Sequence, residues 1–546
     1  MIPRAWPRAP FARDALHALV LFVASFFLFQ IWVHRAFQGH YWGPFLPGSH
    51  FGLPAREAAA FGIFPTSDYG WDAQFYYYQS NDLFATHDSA AHSDNAPYRY
   101  QRIGVPLAAW AVSRALGFSL TPPILYHLVQ FGFFALGFFF LVRFLRQHGV
   151  SVFYAYGWAL SAGVVNCLAY GMPDPVGDAL FIIAAVACLE RRLWLYVPAA
   201  VLLVLVREAY VVFAFGVFVL TLAKRLDWGR HRRLLQLAVV GLPGAVFLAW
   251  RKYVTLRFGV SPSQSTKGDP LLDWPFLGPW KSFGKALASM NRDEIVSVPL
   301  AVVILVAMTF VILHHRKRFA IGYALLPYVL LLWGLGTTVW DDAQGYMKAL
   351  GTPLAAGAMC LAYTKSRWLK GLLVVAAVHG VVLNYRLKDI KLYLEWPHAF
   401  SVASGAKSNE KALTPFAWTL SGLPKSEIWE DYSGIFSWCH RSVRNVRVHV
   451  RNEGPEPWHV LPYYGMHAVV FSSRWFDASG RHLYPYEVRT PLGQEVSPGA
   501  EADLRAAVQV PPPGRYTLRI TLFQEGNDES FHDSSESSYD MAVEVR

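Results

Sequence analysis

Charge is what this sequence has little of. Asp, Glu, Lys and Arg make up 16% of its 546 residues, against 54% hydrophobic residues. A soluble domain is about a quarter charged, so an ordinary globular enzyme is excluded. Cysteine is scarcer still, with four residues in all. Cys167, Cys188 and Cys360 fall inside apolar blocks, Cys439 stands alone, and no CxxC spacing occurs. That rules against a disulfide framework or a cysteine zinc site. A glycine-rich nucleotide-binding loop is also missing. Disorder is excluded by an excess: 20 Trp, 27 Tyr and 38 Phe are too many for a solvated chain. The formal charge of +11 could suggest nucleic acid. The basic residues, however, come as short clusters between apolar blocks, the pattern of topology signals in membrane proteins. No nucleic-acid partner is expected.

The apolar blocks run to about residue 384, after which the composition turns mixed and polar. A spanning helix needs roughly 20 mostly apolar residues. Eleven candidate spans result: 14–34, 122–142, 151–170, 174–190, 194–206, 208–223, 233–250, 295–313, 319–338, 344–363 and 367–384. Several fall short of that length and are expected to be tilted, re-entrant or broken, which is tolerated where backbone is buried in protein or lines a cavity. The stretch Ile103 to Leu116 is apolar but short and carries Pro106 and Arg114, so it reads as an interfacial or partly inserted helix rather than a full span. The first run follows Arg4, Arg8 and Arg13 and lacks a small-residue cleavage site, so it reads as a retained span. With the N-terminus in the cytoplasm, Arg143/Arg146, Arg191/Arg192, Lys224 to Arg233, Arg316 to Arg318 and Lys365/Arg367/Lys370 all fall inside, as the positive-inside rule requires. The basic residues Arg251, Lys252, Arg257, Arg386 and Lys388 run against it. The expected organisation is a multi-span membrane domain over 1–385 with a large first external loop (35–121), a linker over 386–425, and a C-terminal domain over 426–546. The expected place is the inner cell membrane, with membrane lipids around the spans and the tail outside the cytoplasm.

Ionisable residues in or beside apolar spans are costly and mark function by default. Under this topology they collect on the external side. Asp68, Asp72, Arg99 and Arg102 lie in the first loop, and Asp174 and Asp178 at the end of the fourth span. Arg207-Glu208 sits between two short spans, and Asp341-Asp342 opens the tenth, with Lys348 two turns further in. Each has a plainer reading. Asp72 could pair with Arg99 or Arg102 for structure, Arg207-Glu208 could be a self-satisfied ion pair, and Asp341 could be a helix cap. His87 and His92 are too loosely spaced for a metal site.

The first loop reads Ser67-Asp-Tyr-Gly-Trp-Asp72-Ala-Gln-Phe-Tyr-Tyr-Tyr78 and later Asp94-Asn-Ala-Pro-Tyr-Arg99-Tyr-Gln-Arg102. Gly-aromatic-Asp-x-Gln-Phe-Tyr-Tyr followed by Tyr-Arg-x-x-Arg resembles bacterial polytopic membrane proteins of surface-glycan loci. These are similar to the GT-C superfamily of glycosyltransferases that use polyprenyl-phosphate-linked sugars. The resemblance covers roughly 14–384, with the loop motif its most specific part. Ala73 stands where that group usually has Gly, and Lys348, before Pro353, where Arg is expected. The resemblance implies transfer of a sugar from a polyprenyl-phosphate donor to a cell-surface glycan or lipid-linked acceptor. Asp72 would be the base or essential carboxylate, with Asp68 as the alternative. Arg99, Arg102, Arg207 and Lys348 would hold the donor phosphate, and Glu208, Asp174 and Asp341 would shape the site. The chemistry suits these residue types: a carboxylate can take the acceptor hydroxyl's proton, and fixed cations stabilise the phosphate that departs. A divalent metal such as Mg or Mn could share that task, and the sequence leaves this open. The alternative from another class is a non-enzymatic transporter or assembly subunit for lipid-linked sugars, which would need the cations but not Asp72. Inverted repeats, frequent in transporters, are not seen. An acyltransferase would want a His-centred site, and the external clusters offer none.

The tail alternates in the strand manner over Val446–Val450, Tyr516–Leu522 and Met541–Val545, with turn signals at Asn452-Glu-Gly454, Asp477-Ala-Ser-Gly480, Ser497-Pro-Gly499 and Pro511-Pro-Pro-Gly514. Val450-Arg-Asn-Glu-Gly454 with Trp458, Arg474-Trp475, Arg489-Thr-Pro-Leu492 and Pro513-Gly-Arg-Tyr516 through Gly526 resembles small Ig-like β-sandwiches appended to enzymes of bacterial surface-polysaccharide assembly. Some relatives end this motif in Trp-Phe, where this chain has Ser530-Phe531. Trp458 and Trp475 could stack on sugar rings or fill the core of such a sandwich.

Overall fold

The computed structural model describes residues 11–387, apart from 38, 49, 64–69, 230–231, 267–271, 289–291, 316–320 and 341–342. Of the C-terminal part it describes 418–421, 430–431, 443–452, 457–458, 469–483, 488–492, 496–509, 511–524 and 538–545. Among the described residues the chain is mostly helical, and its strands lie in the C-terminal part. It divides into two compact units. One comprises Met1–Phe29, Pro54–Phe61 and Asp72–Asn384; the other comprises Gln30–Leu53, Gly62–Trp71 and Tyr385–Arg546.

Among the described residues of the chain, five helices are long and apolar enough to cross a bilayer: Phe11–His34, Pro123–Gln147, Arg233–Phe258, Glu294–His315 and Arg367–Asn384. The chain is accordingly a membrane-associated protein. The pair Val152–Ala159 and Ala162–Tyr170 passes the same test together but bends by 58° at its break. Other apolar stretches form shorter helices, Asp174–Leu189, Leu193–Val206, Tyr210–Leu222, Gly322–Trp333 and Gly351–Thr364. The sequence shows why they stop. Asp174-Pro175 opens a helix because proline suits its first turn. Arg207 leaves the helical region altogether (φ −149°, ψ 133°), ending one apolar helix before the next begins at Tyr210. The stretch 103–116 is a helix over Gly104–Ala115, about 18 Å long and too short to cross.

The first two long helices run antiparallel. Ring contacts pair Phe29 with His127, Phe26 with Phe131 and Phe11 with Phe139, at 4.7, 5.4 and 5.3 Å between centroids. At the same end, buried Asp14 meets the Arg146 guanidinium at 3.0 Å. The chain between these helices therefore leaves and returns on the side opposite Asp14. Its part from Asp72 onward is packed rather than loose. Thr121 donates its N–H to Asn81 Oδ1 (2.6 Å) and its hydroxyl to the Ser80 carbonyl (3.1 Å), while the Tyr77 hydroxyl donates to the Thr121 carbonyl (3.0 Å). Three contacts tie it to Arg233–Phe258: the Trp250 indole N–H to the Tyr100 carbonyl (2.8 Å), the Tyr253 hydroxyl to the Phe84 carbonyl (2.9 Å), and Arg257 Nε to the Ala85 carbonyl (3.1 Å).

In the second unit, Val443–Asn452 pairs along one edge with Glu501–Gln509 and along the other with Trp418–Ser421 and Glu430–Asp431. A second sheet runs in the order Val488–Pro491, Val469–Phe476, Gly514–Gln524, Ser538–Val545. All pairings are antiparallel. The three alternating runs of the sequence fall in the strands Val443–Asn452, Gly514–Gln524 and Ser538–Val545, and both sheets feed one apolar core: Val448, Val450, Leu504 and Val508 from the first, Phe471, Trp475, Leu518 and Ile520 from the second. Trp458 and Trp475 are both fully buried in that core. Of the two roles open to them, burial leaves that of core filler: a ring enclosed on both faces fills volume and cannot receive a sugar, so the glycan-stacking role is withdrawn.

Candidate active site

Two short helices of the first loop carry the acid–base residues. Asp72 opens the helix Asp72–Gln79, where the helix dipole favours a negative charge. Asn95 caps the helix Ala96–Tyr100, its side chain accepting from the Tyr98 N–H at 3.2 Å, with Pro97 in the first turn. Arg99 on that helix donates from Nη2 to Asp72 Oδ1 (2.7 Å) and Asp94 Oδ2 (2.6 Å), and from Nε to Asp94 Oδ1 (2.9 Å). Arg102, just beyond, forks onto Glu208, with Nε to Oε2 at 2.8 Å and Nη2 to Oε1 at 2.6 Å. Between the guanidiniums lies the buried Tyr76 hydroxyl, which accepts from Arg99 at 3.4 Å and from Arg102 at 3.3 Å. Aromatic faces cover the rest: Arg99 lies 5.1 Å from the Phe75 ring centre, and Arg102 lies 4.2 Å from that of Tyr98 and also bonds its hydroxyl.

The helix break at Arg207 supplies the other wall. Arg207 Nη1 lies 2.7 Å from Asp174 Oδ1, and Asp174 Oδ2 lies 3.9 Å from the Cys167 thiol. Close backbone approach sets these contacts. A Cβ on Gly104 would lie 2.7 Å from both Val206 N and Cγ2, so only glycine lets the start of the helix Gly104–Ala115, two residues after Arg102, come this close to the Arg207-Glu208 break. Gly104→Ala is expected to lower stability by about 1–3 kcal/mol through overpacking, seen as a lowered unfolding midpoint in detergent. A Cβ on Gly163 would lie 2.7 Å from Lys348 Cα, which fixes the bent span pair against the turn carrying that lysine. Lys348 is half-buried, and its charge reaches Asp72.

Exposure separates these groups. The Arg99 and Arg102 side chains keep only 7% and 8% of their surface, whereas their partners Asp72 and Glu208 keep 38% and 33%. Arg207 keeps 20%, and its Nε has no hydrogen-bond partner among the described residues. Asp72 and Glu208 are thus the most exposed groups of the cluster, Arg207 and Lys348 are partly buried, and Arg99 and Arg102 are enclosed. Burial alone would raise the Asp72 carboxyl. The Arg99 guanidinium, then Lys348 and Arg102, outweigh it and hold Asp72 well below the ordinary carboxylate range. Asp72 is therefore charged throughout the neutral range.

The structure brings Asp72, Arg99, Arg102, Arg207, Glu208, Asp174 and Lys348 into one network of direct or electrostatic contacts. Asp68 and Asp341 lie outside the described residues. Asp178 has a different set of partners: buried, it accepts from Trp158 Nε1 (3.2 Å), Tyr210 OH (3.2 Å) and Thr352 Oγ1 (2.5 Å), joining its own helix to three others. Sequence reasoning missed Tyr76, Tyr98 and Asp94 as members of the site. All three lie inside the motif that drew attention to the loop, and Tyr76 stands one helical turn after Asp72. No group of three or more His, Cys, Asp or Glu side chains is placed to hold a metal among the described residues.

Glu57, on the loop helix Ala55–Phe61, is buried, and its Oε2 has no hydrogen-bond partner among the described residues. Burial pushes its carboxyl up to about 7, with Asp88 and Asp82 adding to the shift and Arg56 opposing it. The sign follows: a raised acid stabilises the fold most below its unfolded value near 4.5 and loses that contribution as pH climbs through 7. Protein stability is expected to fall by about 2 kcal/mol between pH 5 and 8, and Glu57→Gln to flatten that slope in unfolding measured against pH.

Comparison of the chain with protein-family models, with curated proteins and with solved structures found no match to any of them.

Proposed function

We propose that this protein is an integral-membrane glycosyltransferase of the GT-C type. It would move a sugar from a polyprenyl-phosphate donor to a cell-surface glycan or lipid-linked acceptor on the external face of the inner membrane. The observation that carries this reading is an ionised, partly exposed Asp72 that shares one charged network with two partly buried cations, Arg207 and Lys348, beside a break among short apolar helices. In the reaction the sugar C1–O bond to phosphate breaks and a C1–O bond to the acceptor forms, with inversion. Asp72 accepts a hydrogen bond from the acceptor hydroxyl and takes its proton as that bond forms. A carboxylate held this low is a weak base in the resting site, so transfer of the proton comes late. Arg207 and Lys348 receive the departing polyprenyl phosphate. Arg99 and Arg102, sequestered behind the carboxylates, orient Asp72 and Glu208 instead of gripping the phosphate themselves.

The chain in this reading crosses the membrane eleven times, with the N-terminus in the cytoplasm and the tail outside; the five long apolar helices and the bent pair support part of that count. In this reading the tail is an Ig-like domain that orients a polymer acceptor or a partner. The test is donor binding. Purified protein is expected to bind one of a panel of polyprenyl-phosphate sugars, and Lys348→Met to weaken that binding about tenfold or more, the loss of one charge-assisted contact. Unchanged binding in Lys348→Met and Arg207→Met would contradict the assignment.

A further inference from the structure

The segment Leu272–Ala288 connects two of the long apolar helices, Arg233–Phe258 and Glu294–His315. Successive crossings with no crossing between them start and end at one membrane face, so this segment belongs to that face. It is held there by backbone bonds. Leu272 bridges to Leu335, Asp273 N–H donates to the Gly334 carbonyl (2.8 Å), and Phe276 N–H to the Trp333 carbonyl (3.1 Å), all at the end of the apolar helix Gly322–Trp333. From there the helix Leu277–Ala288 turns a face of small residues to the protein, burying Gly278, Pro279, Ser282 and Ala286. Gly278 is obligatory in that contact, since a Cβ would lie 2.5 Å from the Trp340 ring and 2.7 Å from the Leu335 carbonyl.

The opposite face carries the large side chains. Trp274 and Trp280 are 79% and 77% exposed, and Leu272, Phe276 and Leu287 are exposed beside them. Trp280, Gly284 and Leu287 fall on one stripe of the helix (i, i+4, i+7), and the exposed Lys281 and Lys285 on the next. Asp273 is the one acidic residue of the segment. Bare indoles of this area are unfavourable in water, whereas at the boundary between lipid and water each finds apolar surroundings for its ring and a polar neighbour for its N–H. Lysines alongside match anionic headgroups.

We infer that the helix Leu277–Ala288, with Trp274 and Phe276 leading into it, lies in the headgroup layer of the membrane and binds anionic lipid phosphates through Lys281 and Lys285. The inference stands independently of the proposed chemistry, since it uses none of the active-site residues. In that position the helix also braces the helix Thr337–Trp340 against the lipid surface, through the Gly278–Trp340 contact.

The test uses full-length protein in lipid nanodiscs, with a nitroxide attached at Trp280→Cys in a Cys439→Ser background. The label is expected to sit about 5–10 Å below the lipid phosphates, protected from a water-soluble nickel chelate and open to oxygen. Lys281→Glu with Lys285→Glu is expected to reduce co-purifying anionic lipid about fivefold per lysine while zwitterionic lipid is unaffected. A label as open to the nickel chelate as one at exposed His40 would overturn the inference. So would efficient disulfide linkage between two copies at residue 280, which would make the face a self-association surface. Should the cysteine variant misfold, quenching of total tryptophan fluorescence by headgroup-brominated lipid, compared between wild type and Trp274→Leu/Trp280→Leu, reads the same contact; equal quenching in both would count against it.

Discussion

Replacing Asp72 with Asn is expected to lower sugar transfer by about 10²–10⁴-fold, the contribution of a positioned proton acceptor, with donor binding and folding retained. The structure makes this substitution unusually clean. Arg99 is paired with Asp94 as well as Asp72, so losing one carboxylate does not strand a buried guanidinium. Asn keeps the size of Asp and can still accept from Arg99 through its amide oxygen. What it loses is the charge and the ability to take a proton. Transfer of radiolabelled sugar by purified Asp72→Asn, with donor binding measured on the same preparation, checks the prediction. A transporter or assembly subunit built on the same cations would tolerate the change.

Replacing Glu208 with Ala has a different expected result, a loss of the fold itself. Arg102 is nearly buried and forks onto Glu208 alone among the carboxylates of the described residues; its other contacts are the Tyr76 and Tyr98 hydroxyls. Removing one partner of a buried pair costs about 3–5 kcal/mol, because the remaining charge stays out of water without compensation. Glu208 is a third exposed, which places this case at the low end of that range. Glu208→Ala is thus expected to unfold well below wild type in detergent, and Arg102→Met/Glu208→Ala to recover most of the loss, since no stranded charge remains. The double-mutant cycle separates the pair from its surroundings. Little difference between the single and double variants would mean that the ion pair does not fasten the first loop to the helix break.

How much of this was legible beforehand depended on the kind of signal. The long spans could be read because apolar length is a property of the sequence itself, and the strands of the second unit because side chains alternate faces with a period of two. The gathering of Asp72, Arg102, Arg207 and Lys348 could be anticipated from charges sitting at the ends of apolar blocks. The pairing could not. That Arg102 would take Glu208, and Arg207 would take Asp174 instead of its own neighbour, depends on the approach of Gly104 to Val206 and on the extended backbone at Arg207, both tertiary facts. The same holds for exposure. Arginine beside a carboxylate looks available for phosphate in a sequence, and only packing against Phe75, Tyr76 and Tyr98 shows Arg99 and Arg102 to be enclosed. Trp458 and Trp475 illustrate the converse, since an indole reads alike in a sugar cleft and in a core until the sheets are in place.

The central claim is that the cluster around Asp72 transfers sugar from a lipid phosphate. The most direct test incubates purified wild-type protein in lipid with radiolabelled polyprenyl-phosphate sugars and surface-glycan acceptors, following both the labelled product and the free polyprenyl phosphate. The account predicts the two appear in equal amounts, with the opposite anomeric configuration in the product. Donor that binds through Lys348 and Arg207, yet is returned intact with every acceptor offered, would contradict it.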